Sequence, residues 1–130
     1  MARNTRQFSD IDLNFTAHPV TGDINIRYDE DAIKQSVKNL VLTHNYERPF
    51  HSDIGSPVHG LLFDLSSPLL SISIKRIITD LIFNHEPRVN LTEVTVSVLP
   101  DDNSINISIY FTILNTSTPI TLDITLERTR

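Results

Sequence analysis

Four carboxylates, Glu47, Asp53, Asp64 and Glu86, are the side chains in this sequence best suited to acid–base chemistry. Cleaving a glycosidic bond needs one carboxyl kept protonated by its surroundings and a second at a set distance. Glu86 would be the acid, but Arg88 stands close by in the sequence. A neighbouring guanidinium favours the ionised carboxylate and spoils a general acid. Little sequence is left over for a sugar-binding cleft. The histidines His18, His44, His51, His59 and His85 are scattered, with no pair at the spacing of a helical zinc motif. No G-x-S-x-G supports a serine nucleophile. Cysteine is absent, which removes thiol chemistry and thiolate metal sites, and three glycines are too few for a phosphate-cradling loop. The expectation is a protein that is not an enzyme, with no cofactor and no metal.

The same residues suit binding better. In Phe83-Asn84-His85-Glu86-Pro87-Arg88-Val89, an apolar-periodic segment ends and a β-branched alternating run begins. Pro87 cannot continue a helix, and it pushes Glu86 towards extended geometry. Glu86 and Arg88 therefore flank a rigid corner. One reading is a local salt bridge closing the helix end, worth little if exposed. The other is a fixed charged pair offered to a partner, with Arg88 supplying forked donors. A second cluster, Arg48-Pro49-Phe50, lies in the turn-rich stretch 44–56 with Tyr46 and Ile54. That many apolar side chains predict a loop packed down on the domain, Phe50 in the core and Arg48 paired with a carboxylate such as Asp53.

The elements that must position these residues follow from hydrophobic period. Residues 1–22 are polar around an island of Phe8, Ile11, Leu13 and Phe15, and read as an arm, either frayed or lying over its own domain or a neighbour. Ile24, Ile26 and Tyr28 alternate as a short strand. Asp29 suits an N-cap, and Ile33, Val37, Leu40 and Val41 predict a helix over about 30–43. Pro57 opens a short helix through Phe63. Ser67 and Pro68 open the strongest helix, about 68–85, with Leu70, Ile74, Ile77, Ile78, Leu81, Ile82 and His85 on one face. Leu69, Ile72, Arg76 and Phe83 cluster on another side. Such a helix is expected to be buried between layers, the alternative being a face kept for a partner. Beyond Arg88 the period is two, over Val94–Val98, Ile105–Ile113 and Ile120–Leu126, with turns at Pro100–Asn103 and Asn115–Pro119. Helices followed by a meander predict an α+β fold: two main helices and a short one on one face of an antiparallel sheet of three to four strands. Residues 23–130 form the domain.

With 130 residues one domain is the natural expectation, and no staples are needed. The net charge of −5 argues against general nucleic-acid or acidic-membrane binding. No run of about 18 apolar residues exists to span a bilayer. The N-terminus lacks the apolar core of a signal peptide, and the missing cysteine fits a reducing compartment.

Several stretches occur together in one order: Ser9-Asp10-Ile11-Asp12, Leu42-Thr43, Glu47-Arg48-Pro49-Phe50, Gly55, Leu62-Phe63-Asp64 and Glu86-Pro87-Arg88-Val89. In this the chain resembles the baseplate wedge proteins of contractile-tailed phages, the sheath-initiator family of T-even gene product 25 and its GPW relatives. The TssE subunit of type VI secretion baseplates shares the Glu-Pro-Arg corner. The family usually has Gly at Tyr46 and Pro at Ser52, an aromatic at Ile54 and Glu at Asp64. The resemblance implies a structural virion protein in the tail baseplate, assembled in the host cytoplasm. It implies that Glu86, Pro87 and Arg88, with Arg48, Pro49 and Phe50 nearby, meet other wedge subunits. It also implies that a sheet edge, here the last strand with Thr121, Asp123 and Thr125, templates the tail sheath by strand addition. A TssE-like or tailocin subunit is the runner-up. Relatives have at times been labelled lysozyme-like, the least favoured reading.

Overall fold

A computed structural model describes residues 6–64, 67–114 and 116–128. The side chain of Asp64 lies outside the described residues, as do Ser66, ahead of the long helix, and Asn115, at the start of the second expected turn. The chain forms two compact units, Met1–Ser36 and Val37–Arg130.

In the first unit, β1 (Ser9–Ile11) pairs antiparallel with β2 (Ile26–Tyr28), Ser9 opposite Tyr28 and Ile11 opposite Ile26. Of the apolar island expected in an extended arm, Ile11 lies in β1, with Phe8 just before it and Leu13 and Phe15 beyond it. At three residues β1 is too short to show a period. Asp12 closes this hairpin from a buried position. It accepts hydrogen bonds from Thr16 Oγ1 (2.7 Å), Arg27 Nε (2.9 Å) and the Asn14 N–H (3.2 Å), which hold its carboxyl below the usual range. Helix α1 (Asp29–Leu42), whose residues from Val37 on belong to the second unit, begins one residue before the expected start. Asp29 was expected to cap this helix. Instead it sits at φ 45°, and its carboxylate accepts the backbone N–H groups of Gln7 (2.8 Å) and Phe8 (3.0 Å). Those bonds tie down the chain ahead of β1. Ala32, Ile33, Val37 and Val41 are buried at helical spacing.

In the second unit, α2 (Val58–Leu61) runs into a single 3₁₀ turn, Leu62–Asp64. Helix α3 spans Leu70–His85, starting two residues later than expected. Pro68 and Leu69 lie in a turn closed by Leu70 N–H to Ser67 O (3.1 Å), and no side chain caps the helix. Its face of Leu70, Ile74, Ile78, Leu81 and Ile82 is buried, and the helix lies against β3. Strands β3 (Val89–Leu99), β4 (Ser104–Ile113) and β5 (Ile120–Glu127) form an antiparallel meander in that order.

The register explains the core. Val94, Val96 and Val98 stand opposite Ile109, Ile107 and Ile105, which in turn oppose Leu122, Ile124 and Leu126. A bulge between Leu91 and Glu93 inserts Thr92, so Leu91 faces the same side as Val94 although the two lie an odd three positions apart. The opposite face carries Thr95, Ser108 and Asp123 in one row and Ser97, Asn106 and Thr125 in the next. Each fully buried Ile or Leu is worth roughly 1.5–3 kcal/mol against exposure. The fold is the expected α+β arrangement, two main helices and a short one with a three-stranded meander, plus the small hairpin.

Candidate protein-docking site

The corner after α3 is built by its proline. Glu86 donates its N–H to Ile82 O (2.9 Å) as the last helical bond, then turns extended at φ −128°, ψ 81°. Residues two apart on extended backbone share a side. Arg88 accordingly meets Glu86 as a fork, Nε to Oε1 at 2.7 Å and Nη2 to Oε2 at 2.9 Å. Only 3% of the Glu86 side chain is accessible and 25% of the Arg88 side chain, while Pro87 is exposed. A partner at this corner can therefore touch Pro87 and the outer edge of Arg88, and Glu86 acts from behind as the brace that aims the guanidinium.

The loop 44–56 differs from expectation. Phe50 is fully exposed and Tyr46 is 82% exposed; of the three apolar residues only Ile54 is half-buried. No ion pair joins Arg48 to Asp53. The loop is held at its base instead. Ser56 N–H donates to Thr43 O (2.8 Å), and His44 bridges Ser56 in parallel. Glu47 accepts the His44 N–H (2.8 Å), and this bond with the His44 ring holds its carboxyl below the usual range. The rings of His44 and His59 stack with centroids 4.3 Å apart. Gly55 passes so close that an added Cβ would stand 2.5 Å from His44 O. With the base settled by backbone and these rings, the tip needs no apolar anchor.

The sheet has two edge strands, β3 and β5. Arg128 donates its N–H to Asn103 O (2.8 Å), in register with the neighbouring Ser104–Glu127 pair. Antiparallel pairs alternate between hydrogen-bonded and non-hydrogen-bonded. Ile120, Leu122, Ile124 and Leu126 therefore bond to β4, whereas the backbone N–H and C=O groups of Thr121, Asp123 and Thr125 point away from it. Their side chains lie on the polar face, where Ser108 Oγ donates to Asp123 Oδ1 at 2.6 Å.

The family model described as baseplate wedge protein gp25 matches residues 27–118. The chain belongs to the gp25 baseplate wedge family. It is a structural component of contractile-tail baseplate systems. Gp25 of Enterobacteria phage T4 is 27% identical over 118 residues, covering 88% of this chain and 86% of that protein. Among solved structures, a "putative tail lysozyme" from Geobacter sulfurreducens has a TM-score of 0.70 at 22% identity, covering 78% of this chain and 92% of that one. A chain of the anti-feeding prophage baseplate has a TM-score of 0.63 at 20% identity over 91% of this chain and 83% of its own. A chain of the type VI secretion baseplate complex has a TM-score of 0.63 at 15% identity over 73% and 90%. These structures share the fold with this gp25-family chain.

Two of the four carboxylates raised by the sequence have close partners in the structure. Glu47 is engaged by His44 and Glu86 by Arg88, and the side chain of Asp64 lies outside the described residues. Among the described residues no group of His, Asp or Glu could hold a metal ion. The second face of α3 is not covered: Leu69, Ile72, Arg76 and Phe83 are exposed, contrary to the expectation of burial between layers. Phe83 borders a groove of about 440 Å³ against Leu91 and Thr92 at the β3 bulge.

Proposed function

We propose that this gp25-family chain is a non-enzymatic wedge subunit that docks on other wedge proteins and seeds the tail sheath by strand addition. The docking residues are Pro87 and Arg88, braced by Glu86, together with Arg48, Pro49 and Phe50. The templating edge is β5 at Thr121, Asp123 and Thr125. The observation that carries the reading is the open β5 edge, a regular row of outward N–H and C=O groups on a strand with no internal proline or lysine. Such an edge is a ready acceptor for an added strand unless it is blunted. The protein then resides in the virion baseplate after assembly in the host cytoplasm. The likeness to prophage and type VI baseplate chains keeps a TssE-like or tailocin subunit as the second reading. Gene neighbourhood separates the two.

The register supplies the test. Thr125→Pro deletes an N–H that points away from β4 and so spares the ladder, whereas Ile124→Pro deletes a ladder bond. With purified cognate sheath protein, wild type is expected to recruit sheath. Thr125→Pro is expected to keep its folded spectrum and lose recruitment, and Ile124→Pro is expected to unfold. A folded Thr125→Pro variant that still recruits sheath removes β5 from the mechanism.

A further inference from the structure

The loop 44–56 contains two successive turns with the same anomaly. The first, His44–Glu47, is closed by Glu47 N–H to His44 O at 3.2 Å, and its third residue, Tyr46, has φ 66°. In the next, Pro49 and Phe50 are the central residues, and Phe50 has φ 67°. A negative φ followed by a positive one makes a type II turn, whose third position suits Gly or Asn. A bulky L-residue there brings its Cβ against the backbone. Both positions hold aromatics, and both rings are exposed. Neither ring makes an aromatic, cation–π or hydrogen-bonding contact among the described residues. The free subunit therefore bears the steric cost twice and recovers nothing from it. Strain of this kind persists where a function uses it.

We propose that Tyr46 and Phe50 are a two-pronged anchor that inserts into apolar pockets on another protein of the baseplate wedge. This rests on the wedge reading above and names the contact made by its loop. Each ring carries a large apolar surface with few torsions to freeze, which is what a binding anchor needs. The left-handed corners aim the rings outward, and the base at Gly55, Ser56 and the His44–His59 stack pre-organises them. Arg48 lies between the prongs with forked donors for carbonyl or carboxylate groups at the pocket rim. A protein pocket fits better than a lipid surface. Two fixed ring directions have no use in a fluid bilayer, and Glu47 and Asp53 in the same loop oppose anionic headgroups.

Glycine substitution separates this role from a structural one. Tyr46→Gly and Phe50→Gly remove the ring and relieve the backbone together. Each is expected to raise the Tm of the free subunit by about 2–4 °C while weakening binding at least tenfold. The probe is the purified wedge complex of the same tail, assembled without this subunit. Phe50→Ala keeps the strained corner, so it is expected to lose binding without the gain in Tm. A fall in Tm for the glycine variants, or binding within twofold of wild type, overturns the anchor and leaves the wedge reading standing. A wild-type subunit that does not bind the wedge overturns both. Co-sedimentation of wild type with phosphatidylglycerol vesicles, or a dimer dissolved by Phe50→Gly, also overturns it, in favour of a lipid or a second copy as the occupant.

Discussion

The corner at 86–88 and the loop tip at 46–50 are opposites. The corner holds charged residues that turn towards each other and sink into the protein, leaving a proline outside. The tip holds apolar residues that turn into solvent. Residue type alone predicts the reverse in both places. The backbone decides each case. Pro87 forces extended geometry on Glu86, so Arg88 lands on the same side as its carboxylate. Two left-handed turn corners give Tyr46 and Phe50 no route back to the core. The contrast also separates two ways of preparing a protein surface. One aims a guanidinium with a buried counter-charge, and the other aims rings with backbone geometry.

The largest effect is expected at the corner. Glu86→Ala leaves the mostly buried Arg88 guanidinium without its forked partner, and breaking such a pair costs about 3–5 kcal/mol. Urea unfolding measures it; a loss below about 1 kcal/mol would mean that the pair is ornamental and the corner no more braced than the tip. Pro87→Ala releases the constraint that sets the corner and is expected to loosen the pair by a smaller amount in the same measurement. The loop base comes next. Gly55→Ala meets a positive φ of 151° and a contact of 2.5 Å with His44 O, and is expected to cost about 2–4 kcal/mol. If thermal unfolding shows less than about 0.5 kcal/mol, the base yields easily and cannot aim the rings.

Much of the fold was legible because period is written along the chain. Three runs of period two became β3, β4 and β5, and the face from Leu70 to Ile82 became the buried side of α3. What period cannot carry was lost. The bulge at Thr92 is a register event, visible only against Ile109–Phe111 across the ladder. The pairing of β1 with β2 joins segments some fifteen residues apart through only three partner pairs, too few to leave a pattern. Phe50 was expected in the core on the general rule that aromatics are buried, and turn geometry overrode that rule. Of the candidate site, the Glu86–Arg88 pairing followed from spacing, but its burial depended on how α3 meets β3.

The smallest effect tests whether the loop base is a fixed platform. Burial lowers the pKa of His59 below 6.5, helped by repulsion from His44; a backbone bond at Leu42 and the charge of Glu47 oppose the shift. The folded base thus favours neutral His59, whereas the unfolded chain takes up the proton near pH 6.5. The contribution of His59 to stability is complete above that pH and falls as pH drops from about 6.5 through its lower folded value. Glu47 is shifted below its ordinary 4.5, so its contribution survives until the pH falls under that range. Between about pH 6.5 and 4.5, therefore, His59 loosens the base while Glu47 still holds it. Amide exchange at Glu47 and Ser56, whose N–H groups bond to His44 and Thr43, should quicken modestly from pH 7.5 to 5.5 after correction for intrinsic rates. His59→Gln should remove that pH dependence. The corner amide of Glu86, bonded to Ile82 O, is the internal control and should keep its protection over the same range. Equal quickening at both sites would mean that the whole unit opens as one and that base and corner are not independently held.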